Sequence, residues 1–348
     1  MKYKNLKKIY RSKPVSKSRY GLLRLDKNER NNKLDKFFIN KLKSSITSEH
    51  LTSYPELNTL YANLSSHHKI EKDSFLITQG IDGGLKTCIE YFSQKNKNII
   101  ILKPTFAMTK IYCKIYQCNL KEIGYDSSLN LQFDSLYKNI SKKVSLIIIS
   151  NPNSPTGTIV SKRNLERIIK KANKYNVKVI IDEAYYGFYN FSVINYLKKF
   201  KNLIILRTFS KAYGLAGLRI GYIISNSKII NVIGKLKPMY ELNQISVLAA
   251  NIILKNPKIK NNFIKEIKKG KKVLKLELEK NNIEYIDTQA NFILINLKEN
   301  KKKIYDKLSK KGILTTQNVI NPKLKDYLRV TLGPPKEMNR LLKVLKNG

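Results

Sequence analysis

Apolar and polar positions along the middle of the chain follow two alternating patterns. Short β-branched runs fall at residues 75–78, 98–102, 119–123, 145–150, 177–182, 203–207 and 220–224. Several of them, such as Leu-Ile-Ile-Ile and Leu-Ile-Ile-Leu, are apolar throughout rather than at every second residue, as expected for strands covered on both faces. Helical periodicity separates them at 83–92, 161–175 and 227–235. Strands alternating with helices predict an α/β architecture with a mostly parallel seven-stranded sheet covered by helices.

The last third reads differently. A helical stretch over 241–280 is interrupted near Pro257. A strand at 291–296, a helix at 301–311, a strand at 327–332 and a closing helix after Pro335 follow. This order predicts a small α+β domain over 240–348, joined by the N-terminal segment 1–31, beside a large domain over 32–239.

Composition narrows the class. With 348 residues, 42% hydrophobic and 26% charged, the chain has the balance of a globular protein with a sizeable core. Lys+Arg 67 against Asp+Glu 25 gives a net charge of +42, which raises a nucleic-acid reading. The lysines are spread over the whole length, without an aromatic RNA-binding motif, zinc-finger spacing or isolated basic tail, so a solvated basic surface is expected instead. No run approaches the roughly 18 apolar residues of a membrane span, and no apolar stretch follows the basic residues 1–13, so a cytoplasmic protein is expected. Cys88, Cys113 and Cys118 form no CxxC pair, which argues for buried or idle thiols and against a metal cage.

Only 15 glycines occur, and several cluster at predicted strand ends, where open α/β sheets bind ligands. Four segments lie there. Thr78-Gln-Gly-Ile-Asp-Gly-Gly84 opens a helix, either as a plain capped start or as a phosphate cradle. Asn151-Pro-Asn-Ser-Pro-Thr-Gly157 is a rigid loop, a bland turn or a holder of polar groups over a ligand. Asp182-Glu-Ala-Tyr185 puts an acid at the end of an apolar strand, where it needs a partner: a cap, or a cationic ring nitrogen. In the fourth, Lys211 follows an apolar strand, with Ser210 beside it and Arg219 beyond a run of small residues. A desolvated lysine is nucleophilic, and a serine with an arginine suits a phosphate.

Ser210-Lys-Ala-Tyr-Gly-Leu-Ala-Gly-Leu-Arg-Ile-Gly221 resembles the lysine motif of fold-type I pyridoxal-phosphate-dependent transferases, nearest the class I/II aminotransferases and their histidinol-phosphate aminotransferase subfamily. Tyr54-Pro55, Gly80–Gly84, Pro104-Thr-Phe106, Asn151–Gly157, Asp182–Tyr185, Asn291-Phe-Ile-Leu294 and Leu328-Arg-Val-Thr331 fall in the matching order over nearly the whole chain. The resemblance implies pyridoxal 5′-phosphate held by Lys211 as a Schiff base. It also implies Asp182 on the ring nitrogen, Tyr185 and either Asn153 or Ser154 on the ring oxygen, and Phe106 stacked on the ring. The phosphate would meet Gly80, Ile81, Asp82, Ser210 and Arg219 with Thr208 nearby, and Tyr54 from a second subunit of a homodimer. Arg329, Arg340 and Asn28 would bind the substrate.

The sequence departs from the subfamily at four places. Ser154 precedes Pro-Thr-Gly where asparagine is usual, Tyr240-Glu-Leu-Asn243 carries an extra acid, Thr316 replaces an arginine, and no proline follows Asn28-Glu29. The implied reaction is amino transfer between glutamate, or a similar amino-acid donor, and a phosphorylated or otherwise anionic keto substrate. A decarboxylase of an amino-acid phosphate is the alternative, since no motif fixes which Cα bond breaks. A non-enzymatic nucleic-acid binder is the third reading, opposed by the intact Lys211, Asp182, Tyr185 and Arg219.

Overall fold

The computed structural model describes residues 6–9, 18–317 and 324–346. Most of the basic stretch read at 1–13 lies outside them. The chain first forms a two-residue strand, β1 (Leu23–Arg24). It then builds a central sheet from β2 (Phe75–Gln79), β3 (Asn98–Lys103), β4 (Asn119–Gly124), β5 (Val144–Ser150), β6 (Lys178–Asp182), β7 (Leu203–Thr208) and β8 (Ile220–Ser225). The spatial order is β2-β8-β7-β6-β5-β3-β4. β8 runs antiparallel to both of its neighbours, and the remaining pairs are parallel.

The continuously apolar runs sit where both faces are covered. All seven residues of β5 are buried. Alternate side chains enter two cores: Ile147 and Ile149 face one with Ile77 and Ile205, while Leu146 and Ile148 face the other with Ile99 and Leu206. β4, at the sheet edge, is less covered: of its six residues only Ile123 is buried.

A second, antiparallel sheet has the order β12-β10-β9, from β9 (Tyr285–Ile286), β10 (Phe292–Asn296) and β12 (Tyr327–Thr331). β1 pairs in parallel with β11 (Ile313–Leu314). Leu23 and Leu25 enter the core formed by Ile293, Leu328, Phe263 and Leu341, so the N-terminal segment packs with the C-terminal elements.

The helical stretch expected over 241–280 is two helices, Gln244–Lys255 and Pro257–Lys280. Pro257 opens the second, at a position where its missing N–H costs no helical bond. The first helix does not pack with the small sheet. Val247, Ala250 and Ile253 enter the large core with Leu60 and Leu64, so that core continues past residue 239. Gln244–Lys255 is apolar enough to be covered on most sides, and the large core offers that cover.

Candidate active site

The carboxyl ends of β5, β6 and β7 lie side by side. Register pairs Ser150 with Asp182, and Gly221 of the antiparallel β8 sits between Thr208 and Thr78. A Cβ at Gly221 would lie 2.4 Å from the Gly80 carbonyl carbon, so glycine there is what lets the start of helix Gly80–Phe92 approach the sheet. Gly80 itself turns with φ 68°, and a Cβ on it would meet Arg219 Nη2 at 2.8 Å.

These ends open into a cavity of about 350 Å³. Its walls bring together Asn28, Ile81, Asp82, Phe106, Ser154, Asp182, Tyr185, Thr208, Ser210, Lys211, Arg219 and Arg329, residues that span three hundred positions of sequence. A wider cleft of about 600 Å³ has no basic side chain among its lining residues and offers none of this chemistry.

At the floor, Asp182 is buried. Its carboxylate accepts the Ala184 N–H at 2.9 Å and the Ser150 hydroxyl at 3.3 Å. Burial pushes its pKa up to about 6 against those two bonds, with Asp82 and Glu183 adding to the rise. Such an acid is suited to a cationic partner. The residues beside Asp182 and Thr208 form a brace that sequence reasoning did not pick out. Arg207 donates from Nε and Nη2 to Glu183 Oε2 at 3.0 and 2.8 Å, with both side chains buried.

Lys211 Nζ donates to the carbonyls of Lys27 and Asn28 at 3.0 and 2.9 Å. Burial, then the Arg329 charge, lower its pKa to about 8, with Arg219 acting the same way and Glu29 and Asp182 opposing. The amine is therefore closer to its neutral, nucleophilic form than an exposed lysine. The buried Tyr185 hydroxyl accepts from Asn28 Nδ2 at 2.9 Å and bonds Ser154. Burial raises the Tyr185 pKa, while Arg329, Asn28 and Ser154 hold it down.

The opposite end is polar. Arg219 Nη1 reaches Ser210 Oγ at 3.4 Å and its Nη2 reaches Asp82 Oδ2 at 3.4 Å. Ile81 and Asp82 occupy the first turn of helix Gly80–Phe92, the end of a helix whose dipole favours an anion. Thr208 Oγ1 is committed to the Ile220 carbonyl and the Ser210 N–H, so it shapes this corner.

Arg329 Nη2 donates to the Asp26 carbonyl at 2.7 Å and to Thr316 Oγ1 at 3.1 Å. Its Nε is buried without a partner among the described residues. Burial lowers its pKa, with Tyr185 and Asp26 opposing. Thr316 also donates to the Asp26 carbonyl at 2.7 Å, so at this departure from the subfamily the side chain braces Arg329.

Four expected site residues stand elsewhere. Asn153 is buried behind the wall, donating to the Pro104 carbonyl and Thr156 Oγ1, and Ser154 is the loop residue that faces the cavity. Gly80 makes room for Arg219 rather than lining the cavity. Arg340 does not reach it: the side chain is half exposed on helix Pro335–Lys346 and pairs with Glu337 one turn earlier at 3.2 Å. Tyr54 is exposed and stacks on Tyr240 with centroids 4.1 Å apart, outside the cavity of its own chain. Glu241, the extra acid, does not line the cavity either. It accepts the Gln79 N–H at 2.9 Å and fills the space that Gly83 leaves open.

A lysine, a buried acid, a phenol and an anion cradle at the carboxyl edge of this sheet define a pyridoxal-phosphate-dependent enzyme of fold-type I. The chain belongs to the family "Aminotransferase class I and II", whose model matches residues 32–345. It is a pyridoxal 5′-phosphate-dependent aminotransferase related to the histidinol-phosphate aminotransferases. It is 33% identical to histidinol-phosphate aminotransferase 1 of Carboxydothermus hydrogenoformans over 93% of this chain and 92% of that one. It is 36% identical to the histidinol-phosphate aminotransferase of Buchnera aphidicola subsp. Schizaphis graminum over 84% of each. The solved histidinol-phosphate aminotransferase of Clostridium acetobutylicum superposes with a TM-score of 0.84 at 25% identity, covering 94% of this chain and 98% of that one. A threonine-phosphate decarboxylase from Porphyromonas gingivalis, at 20% identity and TM-score 0.78 over 94% of this chain and 99% of that one, shares the fold. Among the described residues no helix is long and apolar enough to cross a membrane.

Proposed function

We propose that this aminotransferase moves the amino group between glutamate, or a similar donor, and an anionic keto substrate carrying a phosphate, as the names of its histidinol-phosphate aminotransferase relatives suggest. The observation that carries the reading is Arg329: a half-buried arginine whose buried Nε has no partner among the described residues, on the wall that Lys211, Asp182 and Tyr185 also line. A fork in that position binds a substrate carboxylate by charge-assisted bonds.

The cavity fits pyridoxal 5′-phosphate. Asp182 is the group for its ring nitrogen, Tyr185 and Ser154 for its ring oxygen, and Phe106 for its ring face. Ser210, Arg219 and the amides of Ile81 and Asp82 would meet its phosphate. When bound, the cofactor supplies an electron sink for charge at the substrate Cα. Lys211 would hold the cofactor through Nζ, and the same amine would take and return the proton at that carbon. With its pKa lowered to about 8, the amine has a larger neutral fraction near neutral pH than an exposed lysine has. Asn28 fixes the Tyr185 hydroxyl, and its carbonyl aims the amine.

The active species is a homodimer in the cytoplasm. Tyr54 is exposed and stacked on Tyr240 outside the cavity of its own chain, which leaves it available to a neighbour's phosphate site, the role the resemblance implies.

The test is a panel of amino donors and keto or keto-phosphate acceptors followed by the absorbance of the bound cofactor. Glutamate-dependent amino transfer to a phosphorylated acceptor supports the reading. Release of carbon dioxide from an amino-acid phosphate, without amino transfer, replaces it with the decarboxylase.

A further inference from the structure

Helix Ala107–Ile115 begins next to Phe106 on the cavity wall and ends far from it, at a turn closed by two nested backbone bonds. Gln117, in the left-handed region at φ 55°, donates its N–H to the Lys114 carbonyl at 3.2 Å. Cys118 donates its N–H to the Cys113 carbonyl at 2.8 Å. This helix-ending motif lays the side chain of the third residue from the helix end against that of the residue just past the left-handed position, and the pair is commonly apolar. Here both are cysteines. A disulfide needs Cα atoms roughly 4.4–6.8 Å apart with converging Cβ atoms. Two residues joined by a direct backbone bond, in a motif that lays their side chains together, are placed for it.

The two thiols also differ in the way a reactive pair needs. Cys113 is buried under the helix in the core with Leu85 and Ile101, and Cys118 is only partly covered. Cys118 and burial push the Cys113 thiol up, while Cys113 pulls the Cys118 thiol down against its partial burial, so the more accessible Cys118 is the better nucleophile of the two. Cys88, the third cysteine, is fully buried and pushed up to about 12 by that burial.

We infer that Cys113 and Cys118 are a modification site, a dithiol that hydroperoxides convert to an intrachain disulfide and thiols restore. The Cys118 thiolate attacks the O–O bond, giving a sulfenic acid and releasing water or an alcohol. The Cys113 sulfur then displaces water from that sulfenic sulfur and forms the S–S bond. Two thiols lose two electrons and two protons, and one hydroperoxide is reduced. The product staples the end of helix Ala107–Ile115 to the start of β4, whose first residue follows Cys118.

The experiment treats the native holoenzyme with hydrogen peroxide, removes the excess with catalase, denatures the protein and blocks free thiols with N-ethylmaleimide. Alkylation should fall from three groups per chain to one and return to three when dithiothreitol precedes blocking. Lys114 lies between the two cysteines, so trypsin should release peptides 111–114 and 115–121 joined to each other. Cys118→Ser should retain both of its remaining alkylations after peroxide. Three alkylations after peroxide, a stable sulfenic or sulfinic acid on Cys118 without the cross-link, or a disulfide to Cys88 would each overturn the inference.

Discussion

Asn28 and Tyr185, 157 positions apart, are joined by a 2.9 Å hydrogen bond from the asparagine amide to the phenol. Asn28 holds a left-handed backbone (φ 53°), and its N–H and Oδ1 both meet Thr331 Oγ1. Its carbonyl accepts from Asn291 and from Lys211. One residue thus ties the N-terminal segment, the small sheet and the two site residues together. It combines two kinds of contribution, a side chain aimed at Tyr185 and a backbone turn that aims a carbonyl at Lys211.

Two substitutions separate these contributions. Asn28→Gly keeps the left-handed turn and removes the amide, and should cost about 1–3 kcal/mol, the range for orphaning buried partners. Asn28→Ala loses the amide and also strains the turn, adding roughly 1–2 kcal/mol. Urea denaturation of both variants checks the order. Equal losses would show that the turn carries no strain.

Lys211→Ala removes the amine through which the cofactor is proposed to be held. The purified variant should lack the visible absorption of the yellow wild type and should release pyridoxal phosphate on gel filtration. A wild type that stays colourless after reconstitution with the cofactor contradicts the assignment.

Lys211 and Asp182 were legible in the sequence for a physical reason. Asp182 ends, and Lys211 closely follows, a strand whose apolar residues must be covered on both faces, so a charged residue there is held at the edge of the core and needs a task. Arg340 carried no such constraint. Nothing in its neighbourhood in the sequence decides between the cavity and the solvent, and an acid one turn back, Glu337, takes its charge. Apolar periodicity over Gln244–Lys255 shows that a face is buried without showing against what, and in the structure that face meets the large core. The contacts of Lys211 with the Lys27 and Asn28 carbonyls left no signal in the sequence, since every residue has a carbonyl. The two cysteines read as idle thiols because a CxxC spacing was sought. A helix-ending turn brings together residues five apart.

Asp182 offers a pH test in the cofactor-free protein. Its folded pKa of about 6 lies above the ordinary 3.8, so between those values the native state keeps a proton that the unfolded chain has lost. Stability then falls as pH rises through that window, and the loss is complete above about 6. Asp182→Asn removes the loss. The cofactor-free variant should match wild type at the acid end and exceed it at neutral pH, by on the order of 2–3 kcal/mol. Saturating cofactor should reverse the order, because only the carboxylate meets a cationic ring nitrogen. Melting curves with and without pyridoxal phosphate across the window check both signs. A difference independent of pH would make Asp182 a structural cap only.

Arg329 separates anion recognition from architecture. Its Nη2 holds the Asp26 carbonyl and Thr316, whereas its buried Nε has no partner among the described residues. If that free edge receives the substrate carboxylate, Arg329→Ala should lower kcat/KM for every amino-acid donor by the equivalent of roughly 2–5 kcal/mol, the cost of cutting a buried charge pair. Arg329→Lys keeps the charge and loses the fork, so it should recover only part of the loss. If the arginine serves only to tie β12 to the N-terminal segment, both variants should melt lower while kcat/KM at a temperature where they remain folded stays near wild type. Raised salt adds a second reading. The spread positive charge of +42 steers acidic substrates at long range, and screening removes that part first. In wild type kcat/KM for glutamate should therefore fall with salt, and in Arg329→Ala it should fall by the same factor from a lower start. A variant whose activity no longer responds to salt would place the steering in this one residue and not in the surface.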